Sequence, residues 1–315
     1  MTLVAWVLLA QTIPGAGWEE RAPDAVGLSK DKLSELRDLA GGSGCVIRKG
    51  VLAYTWGDAA KGADVDAAAQ PLLGTLLMMA VDEGKIPGVD APLSEREPFL
   101  AGKNAGITWR HLAQQISGYG SGDLPGVTYS PQDTALALLT GMLIGRVFGQ
   151  TGPEALRPRL AGALRFQDPW IFDASGPGRL SISPRDFARY GLLILRGGAW
   201  GERQVVSAPL TYLSISAPLA ATTPGPAGKL GPGYRSFGWW LNGIDDRRRQ
   251  LFVDGPGDLV AALGQGGGRA LWILPSLDLI VSWNDAQVGD LDRSPGNPDA
   301  NLNRAVRVMV ESVTR

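Results

Sequence analysis

The sequence predicts an α/β (α+β) fold: an antiparallel sheet flanked by helices, formed from N- and C-terminal segments, with a mainly helical segment inserted between them. Three observations predict it. Strand patterns and a helix come first, at residues 27–63. A long middle, 64 to about 187, reads mostly as helices broken by Gly/Pro loops. Strands and a closing helix finish the chain. A lone N-terminal hairpin would be marginal in water, so the two ends are expected to share one sheet.

Composition bounds the class. The 315 residues are 44% hydrophobic and 19% charged, which is globular rather than disordered. A formal net charge of −1 leaves no electrostatic footprint for nucleic acid or an anionic membrane. The one basic run, Arg247-Arg248-Arg249, follows Asp245-Asp246 and reads as a solvated turn. Cys45 is the only cysteine, so no internal disulfide forms, and its apolar strand context predicts a buried, inert thiol. With one histidine, His111, and no Cys/His cluster, neither a metal site nor a cofactor is expected.

The elements follow in chain order. Residues 3–10, "LVAWVLLA", precede the small residues "PGAG" and resemble a signal peptide that lacks a basic leader. Residues 1–17 are therefore expected to direct export to the periplasm or medium; without that signal the chain would be cytoplasmic. No later stretch is long enough to span a bilayer. "GLSKDKLSELRDLAGG" predicts a first helix capped by Ser29 and stopped by Gly41-Gly42. "SGCVIRKGVLAYTWGD" predicts a hairpin around Arg48-Lys49-Gly50. In "DVDAAAQPLLGTLLMMAVDEGK", Leu72, Leu73, Leu76, Leu77 and Ala80 form one apolar stripe. Asp64 or Asp66 is the expected N-cap there, with Pro71 tolerable in the first turn and Gly84 as the stop.

Further helices are expected over 107–117, 134–149 and 183–198. Strands are expected in "SFGWWLNG", "RALWILPS" and "LDLIVSWND", and a closing helix in "NLNRAVRVMVESVT". The resulting organisation is 1–17 as leader, 18–63 with 188–315 as the sheet-bearing unit, and 64–187 as the inserted helical unit.

Four segments in order carry a family resemblance: "TWGDAAKGADVDAAAQPLLGTLLMMAVDEGKI", "ITWRHLAQQISGYG", "GRLSISPRDFARYGLLILRGGAWGERQVVS" and "GQGGGRALWILPSLDLIVSWND". Over nearly all of 18–315 the chain resembles the serine β-lactamase and penicillin-binding-protein superfamily. It is most similar to the class C-like branch, with its esterases, DD-peptidases and 6-aminohexanoate-dimer hydrolases. The resemblance implies a β-lactamase/transpeptidase-like architecture with a pocket at the junction of sheet and helical insertion.

The family's chemistry needs a Ser-x-x-Lys opening the central helix, a Tyr-x-Asn facing it, and a Lys/His-x-Gly strand segment as the other wall. Laid on this sequence, the serine falls on Ala67 and the lysine on Gln70. Alanine carries no nucleophile, and a carboxamide has no useful pKa for taking a proton. The family's tyrosine comes six positions after the proline of a Pro-Gly pair. Counting from Pro125-Gly126 gives Pro131, with Asp133 in the asparagine place and Tyr129 as a neighbouring apolar wall. The third segment falls on Gln265-Gly266-Gly267.

The resemblance thus implies a binding pocket of Ala67, Gln70, Tyr129, Pro131, Asp133, Gln265, Gly266 and Gly267 in which no catalytic set is intact. The expected function is a non-catalytic pseudoenzyme, binding or scaffolding, with a small acyl or amide compound or a peptidoglycan-derived fragment as ligand. The alternative is a serine hydrolase with a relocated nucleophile: Ser117, Ser121, Ser130 or Tyr129, with Asp133 as base. His111 and the Trp239-Trp240 pair are expected to pack rather than to react.

Overall fold

The computed structural model describes residues 12–226 and 230–314. The leader-like stretch 3–10 lies outside them. Helix α1 (Lys30–Ala40) starts where expected: the Ser29 hydroxyl accepts the Lys32 N–H, and Gly41 and Gly42, both at positive φ, end it. The hairpin follows as β1 (Ser43–Arg48) and β2 (Val51–Trp56), turned through Lys49 and Gly50. Helix α2 (Gln70–Asp82) is buried at every residue from 71 to 80, and Glu83 and Gly84 close it.

The inserted region holds shorter helices than the sequence suggests. The 107–117 pattern yields only Trp109–Ala113, and 134–149 divides into α3 (Asp133–Thr140) and a wider-wound continuation, Gly141–Val147. Helix α4 (Pro184–Leu195) then runs from a Ser183 cap whose hydroxyl accepts the Asp186 N–H.

The last third supplies β3 (Arg235–Ser236), β4 (Trp239–Leu241), β5 (Val260–Gly264), β6 (Arg269–Leu274) and β7 (Leu279–Asn284), closed by α5 (Asn301–Glu311). Two of these correct the sequence reading. "SFGWWLNG" is two short strands around a Phe237-Gly238 turn, and β5, in the run "LVAALG", had no strand expected for it. Its apolar residues do not alternate with polar ones because both faces are covered, so the period-2 signal vanishes.

These seven strands form one antiparallel sheet in the order β2-β1-β7-β6-β5-β4-β3, while short strands at Ala63–Asp64, Ile171–Asp173 and Arg179–Ile182 make a separate three-stranded sheet and Ala199–Trp200 pairs with Arg203–Gln204. The N-terminal hairpin joins the C-terminal strands through β1, which pairs with β7 from Ser43 opposite Asn284 to Arg48 opposite Leu279. One face carries Cys45, Ile47, Val260, Ala262, Leu271, Ile273 and Ile280 toward α2 and α4. The other carries Val46, Ala261, Leu263, Trp272, Val281 and Trp283 toward α1 and α5. Cys45 is fully buried, and desolvation drives its thiol pKa far above the ordinary value, so it stays a protonated core residue. No helix among the described residues is long and apolar enough to cross a membrane.

Helices α2 and α4 are tied by one buried bond, the Thr75 hydroxyl with the Tyr190 hydroxyl at 2.8 Å. Tyr190 also stacks between Phe187 and Trp239, 6.1 and 5.7 Å away. Tyr190→Phe leaves the Thr75 hydroxyl unpaired in the core and is expected to cost about 1–3 kcal/mol. Tyr190→Phe/Thr75→Val removes both partners and should recover most of that loss. Urea-unfolding midpoints of the two variants check it.

Candidate functional site

The site is built where the start of α2 meets the end of β5. A single 3₁₀ turn, Asp66–Ala69, leads directly into α2. Ala67 and Gln70 are both half-buried on its open side, while Ala68 and Ala69 are buried. Neither aspartate caps this helix, contrary to expectation. The Asp64 carboxylate accepts the Asp66 N–H at 2.9 Å and pairs with Arg179; the Asp66 carboxylate accepts the Gln265 N–H at 3.1 Å. The strand behind them comes very close: a Cβ on Gly264 would lie 2.1 Å from the Val65 carbonyl oxygen. Only glycine fits there.

Gln265, Gly266 and Gly267 form a 3₁₀ turn between β5 and β6, with φ of 49°, 66° and 111°, rather than the expected strand wall. Left-handed backbone at three successive residues cannot continue a ladder. Within that turn the Gly268 N–H donates to the Gln265 carbonyl at 3.1 Å. The turn is therefore tied to Asp66, the residue before Ala67, and its Gln265 and Gly268 N–H groups are engaged.

Gln70 is held by two neighbours. Its carboxamide oxygen accepts from Gln115 Nε2 at 2.9 Å and from Arg235 Nη2. The backbone carbonyl of Gln115 in turn accepts the Ser130 N–H at 2.8 Å, which links the 129–133 loop to the helix start. In that loop Tyr129 is buried against Ile116 and Leu219, and Pro131 and Asp133 are exposed. Asp133 is the first residue of α3, with Gln132 at the cap position. Loop and helix start are thus brought together through Gln115, not by direct contact of Pro131 or Asp133 with Gln70.

Sequence reasoning missed Gln115 and Arg235. Arg235 is buried, its guanidinium carbon 4.4 Å from the centroid of Trp240. Among the described residues it is paired with no carboxylate, and burial pushes its pKa down with only nearby Tyr129 opposing. Arg235 lies one residue before the run SFGWWLNG that was read as a strand, so the sequence carried no signal for it.

The hydroxyls that could have replaced a nucleophile are engaged locally. Ser117 Oγ accepts the Tyr119 N–H, and Ser130 Oγ accepts from Gln132 Nε2. Ser121 Oγ donates to Asp123 Oδ2 at 2.8 Å, but inside a turn that Asp123 also closes through Thr128. His111 completes a capping box: its Nδ1 accepts the Thr108 N–H while its own N–H donates to Thr108 Oγ1, each at 3.2 Å. Trp239 is core, and Trp240 supports Arg235. No group of three His, Cys, Asp or Glu among the described residues could hold a metal ion.

Burial is the main cause lowering the His111 pKa, so the folded state favours the neutral ring that caps at Nδ1. A depressed folded value means this contribution is full above the ordinary value of 6.5 and is lost as pH falls through the folded value. His111→Gln, which keeps a capping-box acceptor, is expected to flatten that part of the stability profile. Melting temperature against pH for both proteins measures it.

Residues 31–284 match the beta-lactamase family. Among solved structures, the chain is similar to a beta-lactamase from Mycobacterium bovis, at 22% identity and TM-score 0.64, covering 87% of this chain and 99% of that one. It is also similar to a penicillin-binding protein homolog from Caulobacter crescentus, at 13% identity and TM-score 0.66, covering 91% and 99%. At these identities the likeness is one of fold. No curated protein matches the chain.

Proposed function

The chain belongs to the beta-lactamase family, and on that premise we propose that it is a non-hydrolytic member, a pseudoenzyme that binds an acyl or amide ligand without acylating on it. The registration that places Ala67 and Gln70 at the family's serine and lysine is part of this proposal. So is the reading of Pro131 in place of its tyrosine.

One observation carries it. The Gln70 carboxamide is locked between Gln115 and Arg235, where the inherited mechanism needs a free base one helical turn from a nucleophile. Ala67 and Gln70 share the open side of one turn, which is the arrangement a Ser-x-x-Lys pair requires, with neither reactive group present.

Magnitude decides against residual chemistry of the inherited kind. Loss of a serine that acts with its base costs about 10⁶ in kcat in the protease case. That is on the order of 8 kcal/mol of barrier. Oxyanion donors alone sustain roughly 10³–10⁴ over water. Here the Gln265 and Gly268 N–H groups are already engaged by Asp66 and by the Gln265 carbonyl.

Intact-protein mass after incubation with a penicillin and with a fluorophosphonate tests the reading. The wild type is expected to gain no mass. Ala67→Ser/Gln70→Lys is expected to label at residue 67, because the Arg235 guanidinium would hold a neighbouring lysine in its neutral, basic form. A stoichiometric adduct on the wild type would overturn the proposal, and peptide mapping would name the nucleophile that took over.

A further inference from the structure

The loop 118–123 is closed on itself. Gly118 takes φ 62°, and a Cβ there would lie 2.3 Å from the Asp123 carbonyl oxygen, so only glycine lets the two ends of the loop meet. The Ser121 N–H donates back to the Gly118 carbonyl at 3.2 Å. The closure gathers the backbone carbonyls of Gly118, Ser121 and Asp123 around a single ammonium. Carbonyl dipoles that converge on one point repel one another unless a cation stands there.

That cation is the chain's own. Lys103 lies in the 3₁₀ turn Gly102–Gly106, and its Nζ donates to the Gly118 carbonyl at 2.8 Å, to the Asp123 carbonyl at 3.1 Å and to the Ser121 carbonyl. An ammonium has three N–H donors, so each carbonyl takes one and the set is complete. Among the described residues its partners are these three neutral oxygens. The Asp123 carboxylate accepts instead from the Ser121 and Thr128 hydroxyls, at 2.8 and 3.2 Å. Backbone carbonyls in place of a hydration shell suit ions of the size of potassium or ammonium, whereas calcium sites collect carboxylates directly.

The same loop reaches the candidate site. Thr128 ties it to Asp123, the Gly126 N–H donates to the Ile116 carbonyl at 2.7 Å, and the Ser130 N–H donates to the Gln115 carbonyl. Tyr129, buried between Thr128 and Ser130 in the chain, is the wall residue that this path carries.

We propose that the carbonyls of Gly118, Ser121 and Asp123 form a monovalent-cation site that the chain fills with its own Lys103 ammonium. The tethered ion holds the 118–131 loop where Tyr129 and Ser130 wall the candidate site. Lys103 is thus a positioning residue, and its role is the same whether or not the site is hydrolytic. Removing its side chain leaves three converging carbonyls without a donor. Lys103 is exposed, so a free ion of the same charge and size reaches the vacated place from solvent.

Hydrogen exchange of the whole protein, read over 118–131 by mass spectrometry, tests this on the wild type and on Lys103→Ala. With tetramethylammonium as the only added cation, these amides in the variant are expected to exchange about tenfold faster than in the wild type, the loss of one charge-assisted hydrogen bond. Potassium or ammonium chloride at equal ionic strength should restore the slow rate in Lys103→Ala and leave the wild type unchanged. Tetramethylammonium carries the charge but is too bulky for the three carbonyls to close on it. Lys103→Arg, whose planar fork spreads its donors, should fall between the two proteins. In proton–nitrogen correlation spectra of the wild type, the Lys103 ammonium protons should be protected from exchange with water, unlike those of the other lysines.

Unchanged exchange in Lys103→Ala would overturn the cation site, as would faster exchange that potassium and ammonium fail to reverse. Rescue by calcium in preference to potassium would overturn the monovalent assignment. A wild-type Lys103 ammonium that exchanges as fast as the other lysines would overturn the proposal without any variant, so the test still decides if Lys103→Ala fails to fold.

Discussion

The architecture depends on one close approach, that of the Gly264 backbone to the turn Val65–Ala68. A Cβ at Gly264 would lie 2.1 Å from the Val65 carbonyl oxygen and 3.1 Å from the Ala68 nitrogen, so the strand end and the helix start are set by backbone against backbone. The Val65 N–H donates to the Leu180 carbonyl of the strand Arg179–Ile182 on the other side, which fixes the turn between that strand and β5. Everything that follows along α2 is then aimed into the core, from Pro71 to Ala80. The same approach leaves Ala67 and Gln70 on the open side and brings Gln265 to Asp66.

A second close approach works from the opposite wall. Gly238, at φ 92°, lets the β3–β4 turn rest on the helix start, where a Cβ would come within 2.6 Å of the Gln70 carbonyl carbon. That contact brings the end of β3, and with it Arg235, to Gln70. Two glycines, one in a turn and one at a strand end, therefore position the site, and Gln115 and Arg235 reach Gln70 from segments far apart in the chain. Of the polar groups around the site, Gln115 and Arg235 converge on one carboxamide oxygen.

That convergence separates what a site can bind from what it can catalyse. Covalent chemistry needs a nucleophile and a base whose proton affinities suit the task, and neither alanine nor glutamine supplies one. Recognition needs only fixed charge and fixed donors.

Much of the fold was legible in the residues. The Ser29 cap, the Gly-ended helices, the hairpin at Lys49-Gly50 and the apolar stripe of α2 are local signals, and local physics decides them. Strand β5 was not legible, because covering both faces erases the alternation by which a strand is read. Helix 107–117 shrank to Trp109–Ala113, since Gln115 takes φ 58° and turns the chain toward Gln70. Of the site, the sequence by itself determined the chemical identities: Ala67 without a nucleophile, Gln70 without a proton to trade, glycines where backbone must pass closely. Only the tertiary structure decided what Gln70 touches. Gln115 and Arg235 lie 45 and 165 residues from it, and no periodicity or spacing relates a buried strand arginine to a helix start until the sheet has closed over both.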